Sequence, residues 1–301
     1  MKTFQETFGV KHPIACMAMN KVSDLRLAIA VRRAGALPSL SVFNYHVSPT
    51  AINTDLLEQD IKNYVNEFGD ANILISMSIG GLLDNRIFRI FEEYRVKALE
   101  IILGEEEDNV LTRRQAIDRM QAIRSYGGLI FLKSTDFNES LPGIDGIVLK
   151  GPDGAGRGNT RGLSLEYMFN ETRNKKPELK IIVAGGIGNS TQVKQYMDGG
   201  AFAIGTGTLF AACEESKISI ETKEKMIASS ATDLKHLSNG AQQLALVFNE
   251  FKEDNFNNSW GLAAGIKNTN KGHIFAGKGI DYVTRIKSAA EVVTDLVAEL
   301  Q

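Results

Sequence analysis

Eight short apolar runs alternate with amphipathic patterns along roughly the first 200 residues, and this alternation constrains the fold more than any other feature of the chain. The strand-like runs are Pro13–Met19, Ala36–Val42, Asn72–Ile79, Ala98–Leu103, Gly128–Thr135, Asp145–Lys150, Lys180–Gly186 and Phe202–Gly207. Helical patterns stand between them over Asp24–Ala34, Thr54–Phe68, Asn85–Arg95, Thr112–Tyr126, Leu163–Asn174 and Thr191–Met197. Strands that alternate with helices call for a parallel sheet with right-handed crossovers, and eight such units fit a closed barrel. The sequence therefore reads as an α/β fold, a (β/α)8 TIM barrel. One unit is odd: between Thr135 and Asp145 there is room for only a turn or two of helix. Either that crossover is truncated or the end of the fifth strand is misplaced.

The last two strands end in glycine turns, Ala184-Gly185-Gly186-Ile187-Gly188 and Gly205-Thr206-Gly207-Thr208, each followed by helix-like sequence. Without a Cβ, such turns let backbone N–H groups face an anion, and the following helix N-terminus adds partial positive charge. A barrel of this kind usually holds phosphate after strands seven and eight. Gly185, Gly186, Gly205, Thr206, Gly207 and Thr208 are thus expected to grip the phosphate of a cofactor.

At 301 residues, 43% of them hydrophobic, the chain can bury a large core, and one domain over 1–301 is expected. Residues 216–301 exceed what the barrel needs and read as a helical extension or lid: helices at Thr222–Ser230 and Gln242–Phe251, an Asn-, Gly- and Lys-rich stretch at Asp254–Lys271, and a terminal amphipathic helix at Ala289–Leu300. Such additions often serve as lids or as contacts in a homo-oligomer. No apolar run reaches membrane-spanning length and Met1–Val10 lacks a signal-peptide pattern, so a cytoplasmic protein with no membrane partner is expected. Cys16 and Cys213 are the only cysteines, which argues against a disulfide framework or a cysteine-rich metal site. With 34 basic against 36 acidic residues, nothing points to nucleic acid, and Glu105-Glu106-Glu107-Asp108 reads as solvated loop. The four histidines fall in no spaced cluster with carboxylates, so no metal is expected.

Four segments resemble the nitronate monooxygenase (2-nitropropane dioxygenase-like) family of FMN-binding barrels. Phe8-Gly9-Val10-Lys11-His12-Pro13-Ile14 through Ala18-Met19, with Leu27–Val31 and Ala34–Leu37, resembles its opening strand, first helix and second strand. Ile147–Gly158 resembles its strand-six loop. Ala184–Ile187, followed by Gly207-Thr208-Leu209-Phe210 and running on to Glu214-Glu215-Ser216, resembles its phosphate segment. Phe275–Leu300 resembles its closing helix. The resemblance implies an FMN-dependent oxidoreductase acting on a small molecule, with Ala18 and Met19 along the flavin. It also places Ala155 and Gly277 near the cofactor. Ser76 or Ser78 stands in the region of a flavin-bonding asparagine, and one of the two is expected to face inward.

The departures from the family bear on chemistry. Arg157 stands where the family carries a histidine implicated in proton abstraction; a guanidinium stays protonated and suits a carboxylate or nitronate instead. The substrate is accordingly expected to be anionic. Lys150 replaces a flavin-contacting glutamine, and a cation there would favour a negatively charged reduced ring. Lys133, in the apolar run Leu129–Leu132, either points into the barrel mouth toward an anion or snorkels outward. His46, in the loop after strand two, is either the histidine placed to serve as a displaced base or an ordinary surface histidine. Two other readings stand beside this one: a nicotinamide-dependent flavin enoyl reductase, and a non-redox lyase or isomerase that binds a phosphorylated ligand and uses Lys133 as a base or Schiff-base amine.

Overall fold

In the computed structural model, the described residues are 2–48, 51–103, 110–157, 162–238, 242–248, 262, 265–267 and 272–300. Eight parallel strands form the sheet: β1 (Ile14–Cys16), β2 (Ser39–Ser41), β3 (Leu74–Ser78), β4 (Ala98–Ile102), β5 (Leu129–Ser134), β6 (Gly146–Lys150), β7 (Lys180–Ala184) and β8 (Ala203–Thr206). Each pairs with its sequence neighbour from β2 to β8, and β8 pairs with β1. A parallel bridge between Ala15 and Leu37 joins β1 to the start of β2, with Leu37 N–H donating to Ile14 O at 2.9 Å and Cys16 N–H to Leu37 O at 2.9 Å. The barrel is thereby closed.

Helices α1 (Leu25–Arg33), α2 (Thr54–Phe68), α3 (Asn85–Tyr94), α4 (Val110–Ser125), α5 (Leu165–Lys175) and α6 (Ser190–Asp198) fill the crossovers. Their starts follow from short polar residues whose side chains accept a first-turn N–H: Asp24, Asn53, Asp84, Ser164 and Asn189 cap α1, α2, α3, α5 and α6. The link from β5 to β6 contains no helix. It is a run of turns steadied by Lys176, whose amine donates to Phe137 O at 3.0 Å, so this crossover is truncated, and strand five ends at Ser134, one residue before the expected Thr135.

Alternation along the strands separates two cores. Leu40, Ile75, Met77, Leu99, Ile101, Ile130 and Leu132 face the helices, while Ala15, Met17, Leu37, Leu74, Ala98, Phe131, Val148, Ile182, Ala184 and Ala203 fill the interior. The short helix Phe4–Phe8, started by a Thr3/Glu6 capping box, plugs the N-terminal end. Phe4 and Phe8 are buried, with ring centroids 4.9 Å apart, and Phe4 meets Phe202 at 5.3 Å.

The extension departs from its helical reading in one segment. Ile220–Ile227 and Ala289–Leu296 are helices, but Gln242–Val247, expected to be helical, is a strand. It pairs antiparallel with Leu234–Ser238 and His273–Ile274, and on the strand-six loop with Gly156–Arg157. Its apolar residues Leu244, Ala245 and Leu246 read equally well as helix or strand in isolation; the edge offered by the strand-six loop decides the outcome. The stretch Glu105–Asp108 and most of Asp254–Lys271 lie outside the described residues.

Candidate active site

The C-terminal ends of β1 and β5–β8 converge on a solvent-open cavity. Ala18, Met19, Lys133, Lys150, Ala155, Gly185, Gly186, Gly205, Thr206, Gly207 and Thr208 all line it. Residues far apart in sequence are thus brought to one wall by the barrel.

The glycine turns form one side. Gly185 and Gly186 have φ of 105° and 83°, backbone that L side chains rarely adopt. A Cβ on Gly185 would also lie 2.8 Å from Gly151 N, and one on Gly186 2.7 Å from Asp153 Cβ, because the strand-six loop packs directly on both. Among the described residues, the N–H groups of Gly185, Gly186 and Gly207 donate to no backbone acceptor. Thr206 Oγ1 donates to Ile187 O at 3.1 Å and ties the two turns together. Three N–H groups without backbone acceptors thus share one rim beside the start of α6, an arrangement of the kind that can bind an anion.

The neighbouring strands β5 and β6 contribute cations. Lys133 projects inward with its side chain 22% exposed, and its amine lies 3.4 Å from Glu100 Oε2. This ion-paired, inward position replaces the alternative in which the lysine snorkels out. Lys150, one strand over, donates from its amine to Ala155 O in the following loop. The loop therefore folds back over Lys150 with Gly154 against its side chain, and a Cβ on Gly154 would meet Lys150 Cε at 2.8 Å.

Other expected residues fall elsewhere. Ser76 and Ser78 share one face of β3, since positions two apart in a strand point the same way, so the expectation that one of them faces inward is replaced by both or neither. Ser76 stands in register with Glu100 on the interior side, whereas Ser78 caps the short helix Ile79–Leu82 by accepting from Gly81 N–H at 3.1 Å; neither lines the cavity. His46 is exposed in a small hairpin, stacked on Phe43 at 5.8 Å, away from the cavity walls. Gly277 backs the site instead of lining it: its N–H donates to Thr208 Oγ1 at 3.0 Å, and Gly279 supplies the wall. Arg157 pairs through its backbone with Gln243. Sequence reasoning passed over Glu100, fully buried on β4; its signal was a lone carboxylate in Ala98-Leu99-Glu100-Ile101-Ile102. Among the described residues, no group of three or more His, Cys, Asp or Glu side chains could hold a metal ion.

A profile of the family described as Nitronate monooxygenase matches residues 51–299. The chain belongs to the nitronate monooxygenase family. Members are flavin-dependent oxidoreductases, and so is this protein. Solved structures share the fold at low identity. FabK from Thermotoga maritima has a TM-score of 0.80 at 18% identity, covering 99% of this chain and 96% of its own. Nitroalkane oxidase from Streptomyces ansochromogenes gives 0.75 at 18%, covering 97% and 96%. The enoyl reductase domain of MlnA from the macrolactin biosynthesis cluster of Bacillus amyloliquefaciens gives 0.71 at 11%, covering 98% and 96%. Among the described residues, no helix is long and apolar enough to cross a membrane.

Proposed function

We propose that the chain binds FMN and oxidises a small anionic carbon compound such as an alkyl nitronate. The observation that carries this reading is the glycine rim: three N–H donors without backbone acceptors, on a backbone that excludes side chains at Gly185 and Gly186. Those groups, with Thr208, would hold the phosphate. Met17, Ala18 and Met19 would lie along the ring, and Lys133 and Lys150 would meet its polar edge. The flavin supplies the redox chemistry when bound, taking electrons from the substrate. The protein's part is to anchor, to orient, and to hold positive charge where negative charge develops. Arg157 would bind the substrate anion, since its guanidinium cannot accept a proton at neutral pH. The same departure from the family's histidine favours a second reading, reduction of an enoyl thioester with electrons from a nicotinamide cofactor.

The test is the spectrum of the purified protein, followed by release and identification of the chromophore. Gly207→Val isolates the cradle, because Gly207 has φ of −119° and its Cβ would touch only the flexible Met19 side chain, at 3.4 Å. This variant should fold as the wild type does and lose FMN at least tenfold. Wild-type protein that fails to take up added FMN, or a Gly207→Val variant that retains it, refutes the assignment. Anaerobic bleaching by propionate 3-nitronate supports the oxidase reading; bleaching by NADH or NADPH alone supports the second.

A further inference from the structure

We propose that Glu100 is a positioning residue for Lys133, and that the pair sets the charge met by a flavin ring in the cavity; this rests on the FMN assignment above. Glu100 is fully buried in the barrel interior, on the same face as Ala98 and in register with Phe131. Its Oε2 lies 3.4 Å from the Lys133 amine, and its Oε1 has no hydrogen-bond partner among the described residues. Such a group is expensive to bury, and an apolar pair of similar volume would be at least as stable. Stability therefore does not account for it.

Its place in the barrel does. Lys133 sits opposite Ile102 in the register, one layer nearer the cavity than Glu100, and reaches back down to the carboxylate. It is the only member of the pair that lines the cavity. A lysine side chain has several rotatable bonds and no fixed orientation of its own. Held from below, its ammonium stays at the floor of the cavity instead of extending into it, and its charge is partly balanced by the carboxylate. Lys150, on the next strand, donates from its amine to Ala155 O in the following loop. Glu100 touches neither cavity nor substrate; it acts through Lys133.

Two measurements on the full chain test this. In FMN-loaded protein, Glu100→Gln releases the Lys133 ammonium from its partner toward the ring and should raise the reduced-to-oxidised ratio about tenfold at fixed applied potential, equivalent to about 30 mV for a two-electron couple. In FMN-free protein, acylation of Lys133 by acetic anhydride, read by peptide mass spectrometry, should rise several-fold in Glu100→Gln as the amine is released. Glu100→Asp, which keeps the charge but shortens its reach by one CH2, should fall between, and it carries the test should Glu100→Gln fail to fold. A merely structural glutamate would move neither readout. The proposal is overturned if Lys133 labelling is the same in the wild type and both variants, or if the same change in potential occurs in a Lys133→Met background, where a residue acting through Lys133 loses its effect. Wild-type protein that takes up no FMN would refute the cofactor assignment, and the labelling result would still decide whether Glu100 holds Lys133.

Discussion

Lys150 shows how one residue serves two purposes at the cavity wall. Its stem lies along the interior of β6 and its amine bonds Ala155 O, so it both fastens the strand-six loop and leaves a cation beside the site. At an effective dielectric of about 20, a unit charge at ~4 Å contributes on the order of 4 kcal/mol before screening. A fraction of that suffices to be measured. Lys150→Gln should lower the potential of bound FMN by about 30 mV or more, a tenfold change in the redox ratio. An unchanged potential in the FMN-loaded variant would place this lysine outside reach of the ring.

At the scale of elements, the strand-six loop is the hub on which the site is assembled. It packs on Gly185 and Gly186 from above, pairs with the strand Gln242–Val247 from the extension, and is locked to the segment after Ile274. Lys278 N–H donates to Asp153 O at 2.9 Å, and the Lys278 amine meets Asp153 Oδ1 at 2.7 Å. Gly277 allows this approach, since a Cβ there would lie 2.4 Å from Asp153 O and 2.8 Å from Ala155 N. Gly277→Ala should push the two segments apart at a cost of about 1–3 kcal/mol. Hydrogen exchange should accelerate in 151–157 and 273–279 while β3 and β4 keep wild-type protection. Equal protection throughout would show that the contact is dispensable.

At the scale of the whole molecule, the burial of His273 in the extension makes stability depend on pH. This histidine is buried in the strand His273–Ile274, against Phe275 at 5.0 Å between ring centroids, and burial pushes its pKa down to about 4. In the unfolded chain the ordinary value near 6.5 applies. Between those values the unfolded state binds more protons, so stability is fully present above about pH 6.5 and is lost as pH falls toward 4, by up to ~3 kcal/mol. Carboxylates add their own slope, so the informative quantity is a difference. The melting temperature of the wild type should fall relative to that of His273→Leu as pH drops from 7 to 4, and parallel curves would show that His273 does not titrate in that window.

The order of strands and helices was legible in the sequence because each unit carries its own information: an apolar run of strand length, a capping residue such as Asp24 or Asn189, and a helical repeat. The glycine turns were legible for a similar reason, as a backbone requirement written in the residue type at Gly185 and Gly186. The strand Gln242–Val247 was not, because its apolar residues satisfy either period and its partner is more than 80 residues earlier, at Gly156–Arg157. Nor was the Glu100–Lys133 pair, which joins two strands through a register that only barrel closure fixes. His46 and Ser78 failed the same way: proximity in sequence to a strand end placed them near the mouth, but a hairpin turned His46 out to solvent and a helix cap claimed the Ser78 hydroxyl. By itself the sequence determined the barrel, its family and the glycine turns at the strand ends, since these rest on local backbone preference and periodicity. Only the tertiary structure decided which charged side chains meet inside, because burial and pairing are set by contacts between segments that no local pattern encodes.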